Sequence, residues 1–117
     1  MHDKNLDGFI CPSSGTPAFK HYESKDLAMV ITINVIANLL DYCSGVIPVT
    51  KVSKEDLKEE YDDPNFPNDH FVQETRKTLQ GSEGLPVGIQ VCTRTYQEEK
   101  CLAITMLVDK ALKEIND

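Results

Sequence analysis

The chain has 117 residues and carries 12 Lys and Arg against 19 Asp and Glu, so its formal net charge is −7. With 40% hydrophobic and 26% charged residues, it has a globular composition, which excludes disorder, collagen and coiled coil as descriptions of the whole. Its basic residues are scattered among acids, so no nucleic-acid partner is expected, and its length limits it to one domain.

The first half of the chain predicts a strand, a helix and a second strand. Residues 8–12 form a short apolar stretch that ends at a proline and opens into a loop. Asp26 is the predicted N-cap of a helix over 27–42, which is apolar on nearly every side and must therefore be covered all round. Gly45 is predicted to end this helix.

Residues 46–52 form a β-branched, almost continuously apolar run, which predicts a strand covered on both faces. Pro48 lacks an N–H and predicts a bulge or a strand end there. An acidic surface insertion follows over about 53–70, and its segment 53–63 has a local charge of −4. This segment lacks the oxygen spacing and central glycine of a calcium loop, which favours a solvated surface over a site for calcium or a basic partner.

The second half predicts a helix, a strand and a final helix. Residues 69–80 are expected to form a short exposed helix ended by glycines, and 85–92 a strand. Thr95 and Glu98 have the spacing of a capping box, which predicts a helix start at Thr95. The apolar positions of this helix make one stripe: Cys101, Ile104, Leu107, Val108, Ala111, Leu112 and Ile115.

The alternation of strands and helices predicts an α/β fold with at least part of a parallel sheet. Three apolar strands and two apolar helices cannot cover one another without leaving sheet edges open, which favours a part of a larger fold.

The remaining residue types give no sign of a metal or redox site. Four cysteines lack the close pairs of such motifs, which favours reduced core thiols over disulfides: Cys11, Cys43, Cys92 and Cys101. His2, His21 and His70 each lie alone in a polar stretch and are interpreted as solvated side chains, not ligands or bases. No signal peptide or transmembrane helix is predicted, since the longest apolar run has 14 positions where a bilayer needs about 20.

Blocks at 38–50 and 84–90, with the helix start at 97–102, resemble the C-terminal end of the amidase signature family. The opening segment 6–12 looks like the family's strand ending in proline. Within the family, the Asn-x-Leu-Asp-aromatic block and the Gln-Glu-Glu-x-Cys-Leu helix start are similar to the fatty acid amide hydrolases. The resemblance implies the C-terminal part of an α/β/α sandwich with a mixed sheet, with 1–117 as one fragment of a single domain.

The resemblance also implies a serine hydrolase that cleaves fatty acid or other carboxylic amides through a Lys, cis-Ser, Ser triad, with no metal or organic cofactor. The family holds that triad upstream, and no Gly-Gly-Ser-Ser-Gly-Gly tract occurs in this sequence. Amide cleavage needs a nucleophile, a base and oxyanion donors. The chain alone is therefore predicted to be inactive, and its partner is the missing N-terminal part of the domain. Ser13-Ser14-Gly15 is interpreted as a hydroxyl-rich turn.

By the same resemblance, Ala28, Ile31, Val35 and Tyr96 correspond to positions that line an acyl channel. The apolar tail of a substrate is held by buried area alone, so no pattern of polar residues is expected at these positions. For all four residues, a role in the hydrophobic core stays open as an alternative. The resemblance places the complete protein inside the cell, in the cytoplasm or at a membrane surface. Two alternatives stay open, namely a free-standing non-catalytic module that binds a lipid or a partner, and a truncated gene product.

Overall fold

A computed structural model describes residues 5–27, 30, 32–58 and 67–116. These ranges hold three strands and three α-helices, together with a 3-10 turn at Glu23–Lys25. In chain order the elements are β1 (Phe9–Pro12), α1 (Thr32–Leu39), β2 (Cys43–Lys51), α2 (His70–Leu79), β3 (Pro86–Thr93) and α3 (Glu98–Asn116). The predicted α/β class is confirmed.

The three strands form one sheet in the order β1-β3-β2, and β3 pairs antiparallel with both neighbours. The expectation of parallel pairing is therefore wrong for the described strands. Alternation with helices predicts that strands run in the same direction, and β1 and β2 do so. They are not adjacent, however, because β3 lies between them and runs in the opposite direction.

The helices α1 and α3 lie on opposite faces of this sheet. Successive strand residues point to opposite faces, so Gln90 and Val91 mark the two sides of β3. The Gln90 Nε2 donates to the Ile33 carbonyl of α1 at 3.5 Å, and the Cys101 thiol of α3 donates to the Val91 carbonyl at 3.5 Å. The described chain therefore has three layers, a helix on each side of the sheet.

The end of α1 differs from the prediction that Gly45 stops a helix over 27–42. The helix ends at Leu39 because Asp41 adopts a left-handed conformation, with φ 53°. The Tyr42 amide donates to the Ala37 carbonyl at 2.9 Å, and the Asp41 amide donates to the Asn38 carbonyl at 3.2 Å. These two bonds form a Schellman motif with aspartate in the position that glycine usually takes.

The start of α1 also differs, since Asp26 closes the 3-10 turn at Glu23–Lys25 and the described helix begins at Thr32. Leu27 and Val30, which precede the described helix, are buried, whereas α1 itself buries only Ala37. The expectation that this helix is covered on all sides is wrong within the described chain, because its outer residues Val35, Ile36 and Leu39 are exposed.

Gly45 lies inside β2, where its lack of a side chain lets α3 approach the sheet. A Cβ at this position would lie 2.6 Å from the Thr105 Oγ1 and 3.3 Å from the Thr105 Cγ2. Both distances are shorter than ordinary van der Waals contact. Gly45 therefore serves helix-to-sheet packing and not helix termination.

The bulge predicted at Pro48 is confirmed by a shift in the β2–β3 register between Pro48 and Thr50. The expectation that both faces of β2 are covered is wrong, since burial alternates along the strand and Val46 is 62% exposed. Val46 lies opposite Gln90, so the uncovered side of β2 is the one that also carries α1.

The helix predicted over 69–80 is confirmed as α2. The Asp69 carboxylate accepts from the Val72 amide at 2.9 Å and so caps the helix, and Gly81 follows its end with φ 81°. Of the predicted acidic insertion, residues 59–66 lie outside the described ranges. Before them, the Asp56 carboxylate accepts from the amide and hydroxyl of Ser53 at 2.8 and 2.9 Å.

The last helix begins at Glu98, three residues later than predicted. A capping box at Thr95 would need Tyr96 to be helical, but Tyr96 has φ 58°, and the Thr95 hydroxyl donates to the Asp41 carbonyl at 2.6 Å. The predicted apolar stripe is only partly covered, since Cys101 is buried while Leu107 and Ile115 are exposed. Within the described ranges, no helix has the length and hydropathy needed to cross a bilayer.

Candidate functional site

A cleft of about 380 Å³ separates the start of β2 from the start of α3. Its walls come from two segments that are distant in sequence: Asp41, Tyr42, Cys43, Ser44, Gly45, Thr95, Tyr96, Glu98, Cys101, Leu102 and Thr105. About half of these side chains are polar, and among the described residues none of their hydroxyl or thiol groups is hydrogen-bonded to a side-chain base. Within the described chain, the cleft therefore has the character of a binding surface.

Two left-handed residues border this cleft, and one hydrogen bond joins the turns that contain them. Asp41 and Tyr96 have φ values of 53° and 58°, and the Thr95 hydroxyl links their turns by donating to the Asp41 carbonyl. A left-handed conformation costs about 1–2 kcal/mol for residues with a side chain. The two turns are thus held together at the mouth of the cleft, although each is locally unfavourable.

The ring of Tyr96 is 88% exposed at this mouth. The described chain does not bury Tyr96, so the core role that the sequence left open for it would need residues outside these 117. The left-handed backbone directs an aromatic ring outward beside an apolar residue of α3, Leu102, which lines the same cleft and is also exposed. Such a ring has apolar area available for a ligand.

Of the other predicted channel positions, Val35 is the one that the structure describes, and it is not brought to this cleft. Val35 lies on the outer side of α1, is 45% exposed and does not line the cleft. Ala28 and Ile31 lie outside the described residues. Of the three positions predicted to share one helical face, the structure therefore describes Val35 alone. A channel role for the four residues stays a prediction.

The hydroxyl and thiol groups elsewhere are engaged in local structure. The Ser13 hydroxyl donates to the Gly88 carbonyl at 2.9 Å, and the Ser14 hydroxyl accepts from the Thr16 amide at 3.4 Å. All four cysteines are free. Burial raises the pKa of the Cys92 thiol, which favours the protonated and weakly nucleophilic form.

The histidines and acids show no metal arrangement in the ranges that the structure describes. His70 lies 4.0 Å from the Glu74 carboxylate on the surface of α2, and the His21 ring contacts that of Tyr22. His2 lies outside the described residues. No group of three or more His, Cys, Asp or Glu side chains is placed to hold a metal ion there.

A buried amide that the sequence analysis assigned no role connects three elements on the α1 side of the sheet. Gln90 is 3% exposed in the middle of β3. Its Oε1 accepts from the Ser44 hydroxyl at 3.2 Å, and its Nε2 donates to the Cys11 thiol at 3.1 Å and to the Ile33 carbonyl at 3.5 Å. The signal in the sequence is a long polar side chain inside an otherwise apolar strand, because such a group needs buried partners.

The Amidase family model matches residues 1–102 of the chain. The fatty acid amide hydrolase 1 of Caenorhabditis elegans is 38% identical over 105 residues, which cover 87% of this chain and 18% of that relative. The acetamidase of Emericella nidulans is 35% identical over 113 residues, which cover 96% of this chain and 20% of the relative.

A third relative, the fatty-acid amide hydrolase 1 of Sus scrofa, is 30% identical over 82 residues, which cover 70% of this chain and 14% of that protein. The chain thus spans a fifth or less of the length of these curated relatives. No solved structure matches it significantly.

Proposed function

The chain belongs to the amidase family, and on that premise we propose that it is the C-terminal segment of a serine hydrolase that cleaves fatty acid amides or related carboxylic amides. The reaction adds water across the amide C–N bond and releases a carboxylic acid and an amine. In this proposal, a serine outside these 117 residues attacks the amide carbonyl, and the segment alone is inactive. No metal or organic cofactor takes part.

The observation that carries the proposal is that apolar side chains are uncovered on both faces of the sheet. Ile10 of β1 lies opposite Val91, on the face of α3, and is 53% exposed. Val46 of β2 lies opposite Gln90, on the face of α1, and is also exposed. On its own face of the sheet, α3 thus leaves β1 uncovered and α1 leaves β2 uncovered. These two strands form opposite edges of the sheet.

Surface of this kind normally marks a missing interface. We therefore propose that the remainder of an amidase domain continues the sheet and covers both bare strands. The same uncovered surface counts against a free-standing module, because edge strands with exposed apolar residues favour aggregation of an isolated chain. Four free thiols suit a reducing compartment, which supports a place inside the cell, in the cytoplasm or at a membrane surface.

We also propose that Val35 and Tyr96, together with Ala28 and Ile31, contact the acyl chain of the substrate. The exposed ring of Tyr96 at the mouth of the cleft and the uncovered outer side of α1 support this role. Both surfaces carry exposed apolar side chains, and apolar area is what holds a hydrocarbon tail.

A segment exchange tests the proposal. We expect a chimera, in which this chain replaces the matching segment of the Caenorhabditis elegans relative, to hydrolyse a long-chain fatty acid amide and to react with a serine-directed fluorophosphonate probe. The isolated chain should do neither, and the relative without its segment should be insoluble or inactive. A chimera that is folded, with a cooperative thermal transition, yet neither hydrolyses the amide nor reacts with the probe would contradict the proposal.

A further inference from the structure

We propose that Gln90 is a positioning residue that fixes α1 on the sheet and thereby sets the place of Val35 in the acyl channel. This inference rests on the proposed function. Gln90 does not touch substrate in this account, since it is buried in β3, on the inner side of α1. It acts through the carbonyl of Ile33.

In the part of the chain that the structure describes, α1 itself buries little side-chain surface. It has eight residues, and helices of this length are marginal without tertiary contacts. Of its side chains only Ala37 is buried, while the outer residues are exposed. The bond from Gln90 reaches its first turn, and the contact between the Phe9 and Tyr42 rings, with centroids 6.2 Å apart, lies beyond its other end.

The helical geometry connects the amide to the predicted channel residue. Ile33 and Val35 are two positions apart, so their side chains differ in direction by about 200° around the helix axis. A small rotation of α1 about its own axis therefore also displaces Val35 on the outer side of the helix. A buried amide is suited to limit this rotation because both of its donors and its acceptor have partners in different elements: Cys11, Ile33 and Ser44.

The chimera described above, with Gln90→Met, tests the inference. Methionine keeps the volume and apolar stem but cannot donate to Ile33, whose carbonyl lies within α1. The substitution removes all three hydrogen bonds of the amide, of which the one to Ile33 reaches α1. We expect the ratio of kcat/KM for a long-chain amide to that for acetamide to fall about three- to tenfold, the size of effect that the loss of this one bond predicts. The change should appear in KM for the long amide, with kcat nearly unchanged.

Thr93→Val is the matched control. Thr93 is fully buried in the same strand, on the face of α3, and its hydroxyl donates to the Gln97 carbonyl at 3.3 Å. This variant also loses a buried hydroxyl bond, so it should lose stability without changing the ratio between the two amides.

Ser44→Ala is the second test variant, because it removes one partner of the Gln90 amide. It should shift the ratio less than Gln90→Met but in the same direction. It replaces Gln90→Met if that variant does not fold.

The outcomes separate the inference from its premise. An inactive but folded chimera without substitutions overturns the proposed function. An active chimera in which Gln90→Met and Ser44→Ala both leave the ratio unchanged, or in which Thr93→Val shifts it equally, overturns the positioning role alone.

Discussion

Replacing Gly45 with alanine is expected to destabilise the fold by about 1–3 kcal/mol, the usual range for adding a methyl group to a packed interface. The new Cβ would lie 2.6 Å from the Thr105 Oγ1, so either α3 or the Thr105 side chain must move. The measurement is the apparent midpoint of thermal unfolding of the chimera, which should fall by a few degrees.

Thr105→Ala provides the rescue. It removes the Oγ1 and Cγ2 atoms and leaves the Cβ of residue 105 at 3.4 Å, which is ordinary contact. The Thr105 hydroxyl donates to the Cys101 carbonyl of its own helix, so its loss should cost little. The double variant should therefore be more stable than Gly45→Ala alone.

Gly15→Ala is the control. Its Cβ would lie 3.5 Å from Val30, so this substitution should have no large effect on stability. Equal effects at Gly15 and Gly45, or no rescue, would contradict this packing account.

Tyr96→Gly is expected to lower kcat/KM for a long-chain amide about tenfold in the chimera without loss of stability. If the ring covers about 50 Å² of the acyl chain at about 25 cal/mol per Å², its removal costs about 1.3 kcal/mol, which is nearly tenfold. Stability should be kept because the ring is exposed and because glycine adopts the left-handed conformation without strain. Hydrolysis of acetamide, which has no long tail, should be nearly unchanged.

Tyr22→Gly is the matched control for this variant. Tyr22 is also left-handed, with φ 74°, and is 85% exposed, but it does not line the cleft. It should resemble Tyr96→Gly in stability and the unsubstituted chimera in activity on both amides. If long-chain hydrolysis is kept in Tyr96→Gly, or is lost equally in both variants, Tyr96 has no specific contact with the acyl chain.

Several features determined by neighbouring residues were predictable from the sequence. The bulge at Pro48 depends on a missing N–H in the same residue, and the end of α2 is followed by the predicted Gly81. Features that depend on distant partners were not. Gly45 has the pattern of a helix stop until Thr105 is placed against it, and Thr95 has the pattern of a capping box although its hydroxyl bonds to Asp41, 54 positions earlier.

The strand order of the sheet and the arrangement of the candidate site were likewise not predictable from local sequence patterns. Hydrophobic patterns located β1, β2 and β3 but do not encode which strand lies in the middle, so the antiparallel order was missed. For the site, family resemblance predicted channel roles for Tyr96 and Val35, and the structure places these residues on different surfaces of this chain. Their proposed joint role depends on a cavity completed by residues outside these 117, which neither the local pattern nor the three described layers supply.

The most direct test of the central claim is the mass and reactivity of the endogenous protein. An antibody against residues 98–117 should precipitate, from native extract, a band several times heavier than the 13.1 kDa of this chain. We expect that band to be labelled by a fluorophosphonate probe, since the segment then belongs to a polypeptide that carries the nucleophilic serine. A single unlabelled band near 13 kDa would contradict the account and would direct attention to lipid or partner binding by the short chain.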